Sequence, residues 1–152
     1  MVIICRILVR RAAYLLLAVV LSASGALADG KINVDKNRIA IKGYDPVAYF
    51  TESKPVRGKP EYKTKWHDAS WMFSSAENLD KFKGDPDKYS PRYGGFCALA
   101  VASGRKADID PTAWSIVNGR LYLNYNRQSR ESWREHTAEN IDKADRKWPT
   151  MN

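Results

Sequence analysis

Cys97 has the widest chemistry of any side chain in this sequence. A thiolate binds soft metals and acts as a nucleophile, whereas a protonated buried thiol behaves as a small hydrophobe. It follows Gly94-Gly95 at an expected helix start, where unpaired amides and the helix dipole favour the thiolate. The other candidate metal ligands are His67 and His136, with Met72 as a soft addition. Cys97 and His67 form the candidate metal pair, although no two of these strong ligands fall at a recognised metal spacing. Both imidazoles also read as surface groups. A second kind of chemistry is ligand binding at the backbone. Tyr44, Asp45, Tyr93, Gly94 and Gly95 are the candidate cofactor-binding or small-ligand residues, because glycine-rich turns let a ligand approach the main chain. The five tryptophans either line an apolar pocket or fill the core. No catalytic residue is assigned. The chain has no Gly-x-Ser-x-Gly elbow, and Asp108 and Asp110 before Pro111 read as an Asx-type turn. Cys97 with His67 as its base stays open as a thiol-dependent redox or nucleophilic alternative.

Cys97 is expected to stand alone because of the first residues of the chain. Arg6, Arg10 and Arg11 precede an uncharged apolar run from Ala12 to Leu21, and Ala26-Leu27-Ala28 supplies small residues for a signal peptidase. Residues 1–28 therefore read as a cleavable secretory signal peptide with the cut after Ala28, and 29–152 as one domain bound for a bacterial periplasm or secreted. The apolar run is about half the ~20 residues that cross a bilayer as a helix, so no stable membrane anchor is expected after cleavage. Cys5 leaves with the leader, and a lone thiol in an oxidising compartment is expected to be buried, bound or reactive. Three of the 25 Lys and Arg residues also leave, so 22 face 17 acids and the net charge is +5. The charges are interspersed, so nucleic acid is not an expected partner.

The elements that must hold these residues are short. Tyr62, Thr64 and Trp66 alternate with polar residues, and Trp71 and Phe73 repeat the pattern, which predicts a hairpin with His67 on its other face. Asn118-Gly119 between Trp114–Val117 and Arg120–Tyr125 predicts a second hairpin, since both turn positions need positive φ. Two further short strands or extended pieces are expected at Ile39–Ile41 and Val47–Phe50, and an entry segment over Asp29–Arg38 that is either ordered on arrival or frayed. Ser75 with Asn78, or Ser74 with Glu77, is at capping-box spacing to open a predicted helix over Ala76–Phe82 that Gly84-Asp85-Pro86 ends. Phe96–Ala102 predicts a buried helix, and the recurrence of Trp133, Thr137, Ile141, Ala144 and Trp148 predicts one amphipathic helix or a pair. The expected class is α+β, with antiparallel hairpins covered by helices.

Tyr44-Asp45-Pro46-Val47, Trp71-Met72-Phe73-Ser74-Ser75-Ala76-Glu77-Asn78 and Tyr93-Gly94-Gly95-Phe96-Cys97-Ala98 together resemble a YHS domain. The resemblance continues through Trp114, Leu121–Asn124 and Trp148-Pro149, nearly the whole of 29–152. It implies a small binding module, with a transition metal, copper above all, as the ligand usually proposed for the family. The family's metal-linked branch resembles Asp-Pro-Val-Cys and Phe-Cys-Ser-x-x-Cys, whereas this chain has Ala48, Ser74 and Asn78 in place of those thiols. Soft thiolates select Cu(I), so the metal site does not transfer by analogy and Cys97 becomes the first ligand. The expected function is an exported binding module for a transition-metal ion. The alternatives are an aromatic-lined module for a small molecule or protein, and a Cys97-dependent redox protein.

Overall fold

The alternating segment around Tyr62 forms β1 (Lys59–Trp66), which pairs antiparallel with β2 (Ala69–Phe73) in the computed structural model, whose described residues are 31–151. The leader reading and Cys5 lie outside those residues. His67 and Asp68 form the two-residue turn, both at positive φ (48° and 58°). His67 is thus at the tip of the hairpin and not on a strand face, as its alternation with Trp66 had suggested. The guanidinium of Arg38 secures that tip by donating two hydrogen bonds, 2.7 and 3.1 Å, to the Asp68 carbonyl.

The second hairpin joins β3 (Asp110–Val117) to β4 (Arg120–Asn124), with Asn118 and Gly119 at φ 50° and 70°. Both values match the primed turn that an Asn-Gly pair favours. Asp110 Oδ1 accepts from the Thr112 amide at 2.8 Å, the Asx turn expected there. β4 is buried on both faces: Leu121 and Leu123 enter one hydrophobic cluster, while Tyr122 enters the other. Tyr125, which follows the strand, is exposed.

Val47–Phe50 is not a strand. Ala48–Thr51 forms a single helical turn, α1, because the Asp45 carboxylate accepts from the Val47 and Ala48 amides and bends the chain there. Ile39–Ile41 likewise gives only isolated bridges, Val34 with Ala40 and Ile39 with Ser70, before a 3-10 turn over Ile41–Gly43. Ile39 and Ala40 are thus an extended piece, which stops at Ile41, itself at positive φ (42°). α2 (Ala76–Gly84) starts at Ser75, whose hydroxyl accepts from the Asn78 amide, and α3 (Pro86–Tyr89) is capped by Asp85. α4 (Ala98–Ala102) is short and mostly buried. The C-terminal periodicity resolves into a pair of helices, α5 (Arg127–Glu135) and α6 (Thr137–Lys147), separated at His136.

Two α+β halves meet across β4. On one side Trp71, Phe73 and Phe82 pack with Tyr49, Ile41 and Leu121; on the other Tyr93, Val101, Trp133 and Ala144 pack around Tyr122. Trp71 and Trp133 are fully buried, so these two side chains serve the core. Truncation of such a ring costs ~3–5 kcal/mol.

Candidate functional site

Asp45 is completely buried, and its carboxylate accepts hydrogen bonds on both oxygens. Oδ1 takes the amides of Val47 (2.8 Å) and Ala48 (3.3 Å). Oδ2 takes the Ser74 amide (2.8 Å), the Ser74 hydroxyl (2.7 Å) and Asn78 Nδ2 (2.7 Å). The positions that would carry thiols in the pattern above, 48, 74 and 78, therefore converge on one carboxylate. This arrangement ties the start of α1, the end of β2 and the first turn of α2 together. Its donors are already spent within the protein, which makes Asp45 a structural hub rather than a wall of an open pocket. Tyr44 is half-buried beside it, with the Arg57 guanidinium 4.8 Å from the ring centroid.

Tyr93 and Gly94 lie at positive φ (56° and 60°), and the close approach they permit is taken by the chain itself. A Cβ on Gly94 would sit 1.7 Å from the Lys31 carbonyl oxygen. The Asn33 amide donates to the Gly94 carbonyl at 2.8 Å, and Asn33 Nδ2 donates to the Gly95 carbonyl at 3.1 Å. From Lys31 onward, the entry segment is thus ordered, a bound strap, and not frayed. Tyr93 is buried, with its hydroxyl 2.9 Å from Asp145 Oδ1. Burial and that carboxylate both push the Tyr93 phenol pKa upward, so it stays protonated.

Cys97 stands immediately before α4 and is 2% exposed. Its Sγ lies 3.7 Å from Asn124 Oδ1 on β4, which also accepts the Leu99 amide at 3.2 Å. A backbone amide only donates, so it fixes which end of the Asn124 carboxamide carries oxygen. The Asn124 Nδ2 group is left buried without a hydrogen-bond partner among the described residues. Cys97 also borders an open cleft of about 340 Å3. Leu99, Ala100 and Ala107 make its apolar side, Arg105 and Lys106 bring positive charge, and Tyr125 offers an exposed ring. The Lys106 ammonium is 5.5 and 5.7 Å from the ring centroids of Phe96 and Trp148.

The other candidate metal ligand, His67, is exposed on the β1–β2 turn with its ring 4.1 Å from that of Trp66. No hydrogen bond or ion pair joins His67 to Cys97 among the described residues. No group of three or more His, Cys, Asp or Glu side chains is placed to share a metal ion among them either. No family model, curated protein or solved structure matches this chain. The residues that sequence reasoning passed over are Arg105, Lys106 and Tyr125 of the cleft, and Asn124 buried beside Cys97. The signal for the first two is a basic pair directly after Gly104, which ends α4. Asn124 sits at the end of a strand and carries no local signal.

Proposed function

We propose that this protein is an exported, non-catalytic binding module of the YHS type that holds a small organic anion in the Cys97 cleft. The observation that carries the proposal is the lining of that cleft. Apolar Leu99, Ala100 and Ala107 suit a short hydrocarbon, while Arg105 and Lys106 suit its charged head. Its volume is at the lower end of ordinary ligand pockets, ~300–1,000 Å3. An organic anion is favoured over copper because the three positions of the family's thiols carry Ala48, Ser74 and Asn78, and the Ser74 hydroxyl and Asn78 Nδ2 are already committed to Asp45.

Titration of isotope-labelled protein by NMR tests this, with hexanoate, hexanol and Cu(I) as separate probes. Hexanoate is expected to shift the amides of Leu99, Ser103 and Lys106 saturably, and to bind more tightly than hexanol. The double substitution Arg105→Gln and Lys106→Gln is expected to weaken hexanoate by about tenfold or more and to leave hexanol unchanged. If neither organic probe binds, the proposal fails. Cu(I) held by the native protein but lost in Cys97→Ala would put the metal reading in its place.

A further inference from the structure

We propose that a second cleft, between β3 and α5, binds a small oxyanion. It has a volume of about 230 Å3 and is lined by residues 114–117 of β3, by Arg130, Trp133 and Arg134 of α5, and by Thr137 at the start of α6. Successive strand residues point to opposite faces, so four in a row can line one cleft only along the strand edge. That edge is the one β3 leaves unpaired, since among the described residues its only ladder partner is β4.

The side-chain polar groups of this cleft are mostly donors. Trp133 lines the cleft, while its indole Nε1 is sealed from solvent and has no hydrogen-bond partner among the described residues, so it reports on the cleft without contacting what enters it. Ser115 Oγ accepts from Arg130 Nε at 3.3 Å, which leaves the hydroxyl proton to donate. Arg130 and Arg134 lie four residues apart on α5, one turn of helix, and so share a face. Glu131 is the one carboxylate paired with them, and it stands 3.7 Å from each, beyond hydrogen-bond range. Two guanidinium groups against one carboxylate leave a net positive charge of one. The Thr137 hydroxyl is the exception to the donor excess, because it already donates to the Arg134 carbonyl at 3.1 Å. A small oxyanion is all acceptor, and guanidinium binds such oxygens through paired, charge-assisted hydrogen bonds.

The test follows the five tryptophan indole N–H resonances, with the Trp133 signal assigned by Trp133→Phe. The purified protein is titrated with phosphate and with acetate, each against sodium chloride at constant ionic strength. The Trp133 indole is expected to move saturably at millimolar anion. Arg134→Gln, at a half-exposed site, is expected to weaken binding about tenfold, and Arg130→Gln at least as much. Arg105→Gln, in the Cys97 cleft, should change nothing here, so failure of this site and failure of the other are read separately. Saturation by phosphate alone assigns a tetrahedral oxyanion, by acetate alone a carboxylate, and by both the wider class; each upholds the site. No saturable movement with either anion overturns it, as does movement that both arginine variants leave unchanged.

Discussion

Asp45 shows how one side chain can be prominent in the sequence and still do something other than its motif suggests. A buried carboxylate survives only if its oxygens are satisfied, and here five donors meet them. Asp45→Ala is expected to cost ~3–5 kcal/mol, read as a lowered urea midpoint at neutral pH, because it strands Ser74 and Asn78 without an acceptor. Asp45→Asn should also destabilise, since its amide nitrogen would face donors wherever it points. A midpoint unchanged in both variants would sink the hub assignment. The Asp-Pro-Val segment was legible as important. Its partners were not, because Ser74 and Asn78 are 29 and 33 residues further along and only folding brings them to it.

At the scale of elements, the two hairpins were legible because their alternation and turn residues act locally. Gly119 is at φ 70° with no atom within 4 Å of a Cβ built on it, so Gly119→Ala costs only backbone strain, about 1 kcal/mol. Gly94→Ala is different in kind, since its Cβ collides with the Lys31 carbonyl. The expected result is release of the entry strap, seen as loss of hydrogen-exchange protection at the Asn33 amide, while Trp71 and Phe73 stay packed. An equally protected Asn33 amide in Gly94→Ala would contradict this. Val47–Phe50 reads in sequence as a short strand or extended piece but forms a helical turn, because an apolar run of four has no diagnostic period and the Asp45 carboxylate decides its shape.

At the scale of the molecule, Asp108 ties two distant residues, Asn33 and Lys42, to the start of β3. Its carboxylate meets Lys42 Nζ at 2.8 Å, Asn33 Nδ2 at 3.1 Å and the Ile109 amide at 2.8 Å. Partial burial opposes its ionisation, but Lys42 and the two amide donors outweigh that and hold its pKa below the ordinary 3.8. A carboxyl lowered in the folded state stabilises fully above its unfolded pKa, and that stability drains as pH falls through the folded value. Asp108→Asn is therefore expected to lower stability by up to about 1 kcal/mol at pH 7, a size set by solvent screening of an exposed pair. The gap should close as the pH drops through and below 3.8, followed by thermal melts of both proteins. A gap that persists unchanged into strong acid would show that ionisation of Asp108 is not its source.

The sequence alone determined what depends on near neighbours: the α+β class, both hairpins, a serine cap at Ser74 or Ser75, and the break of α2 at Gly84-Asp85-Pro86. Periodicity and turn chemistry act over a few residues, so they are readable without the fold. Tertiary structure alone decided which polar groups are spent and which remain available. It committed Asp45, Ser74 and Asn78 to one another and filled the Gly94 approach with the chain's own strap. It also placed Cys97 beside Arg105, Lys106 and Tyr125, and left the Trp133 indole without an acceptor. Burial and long-range pairing are properties of the closed chain, so neither side of that division can be read from residue types and spacing.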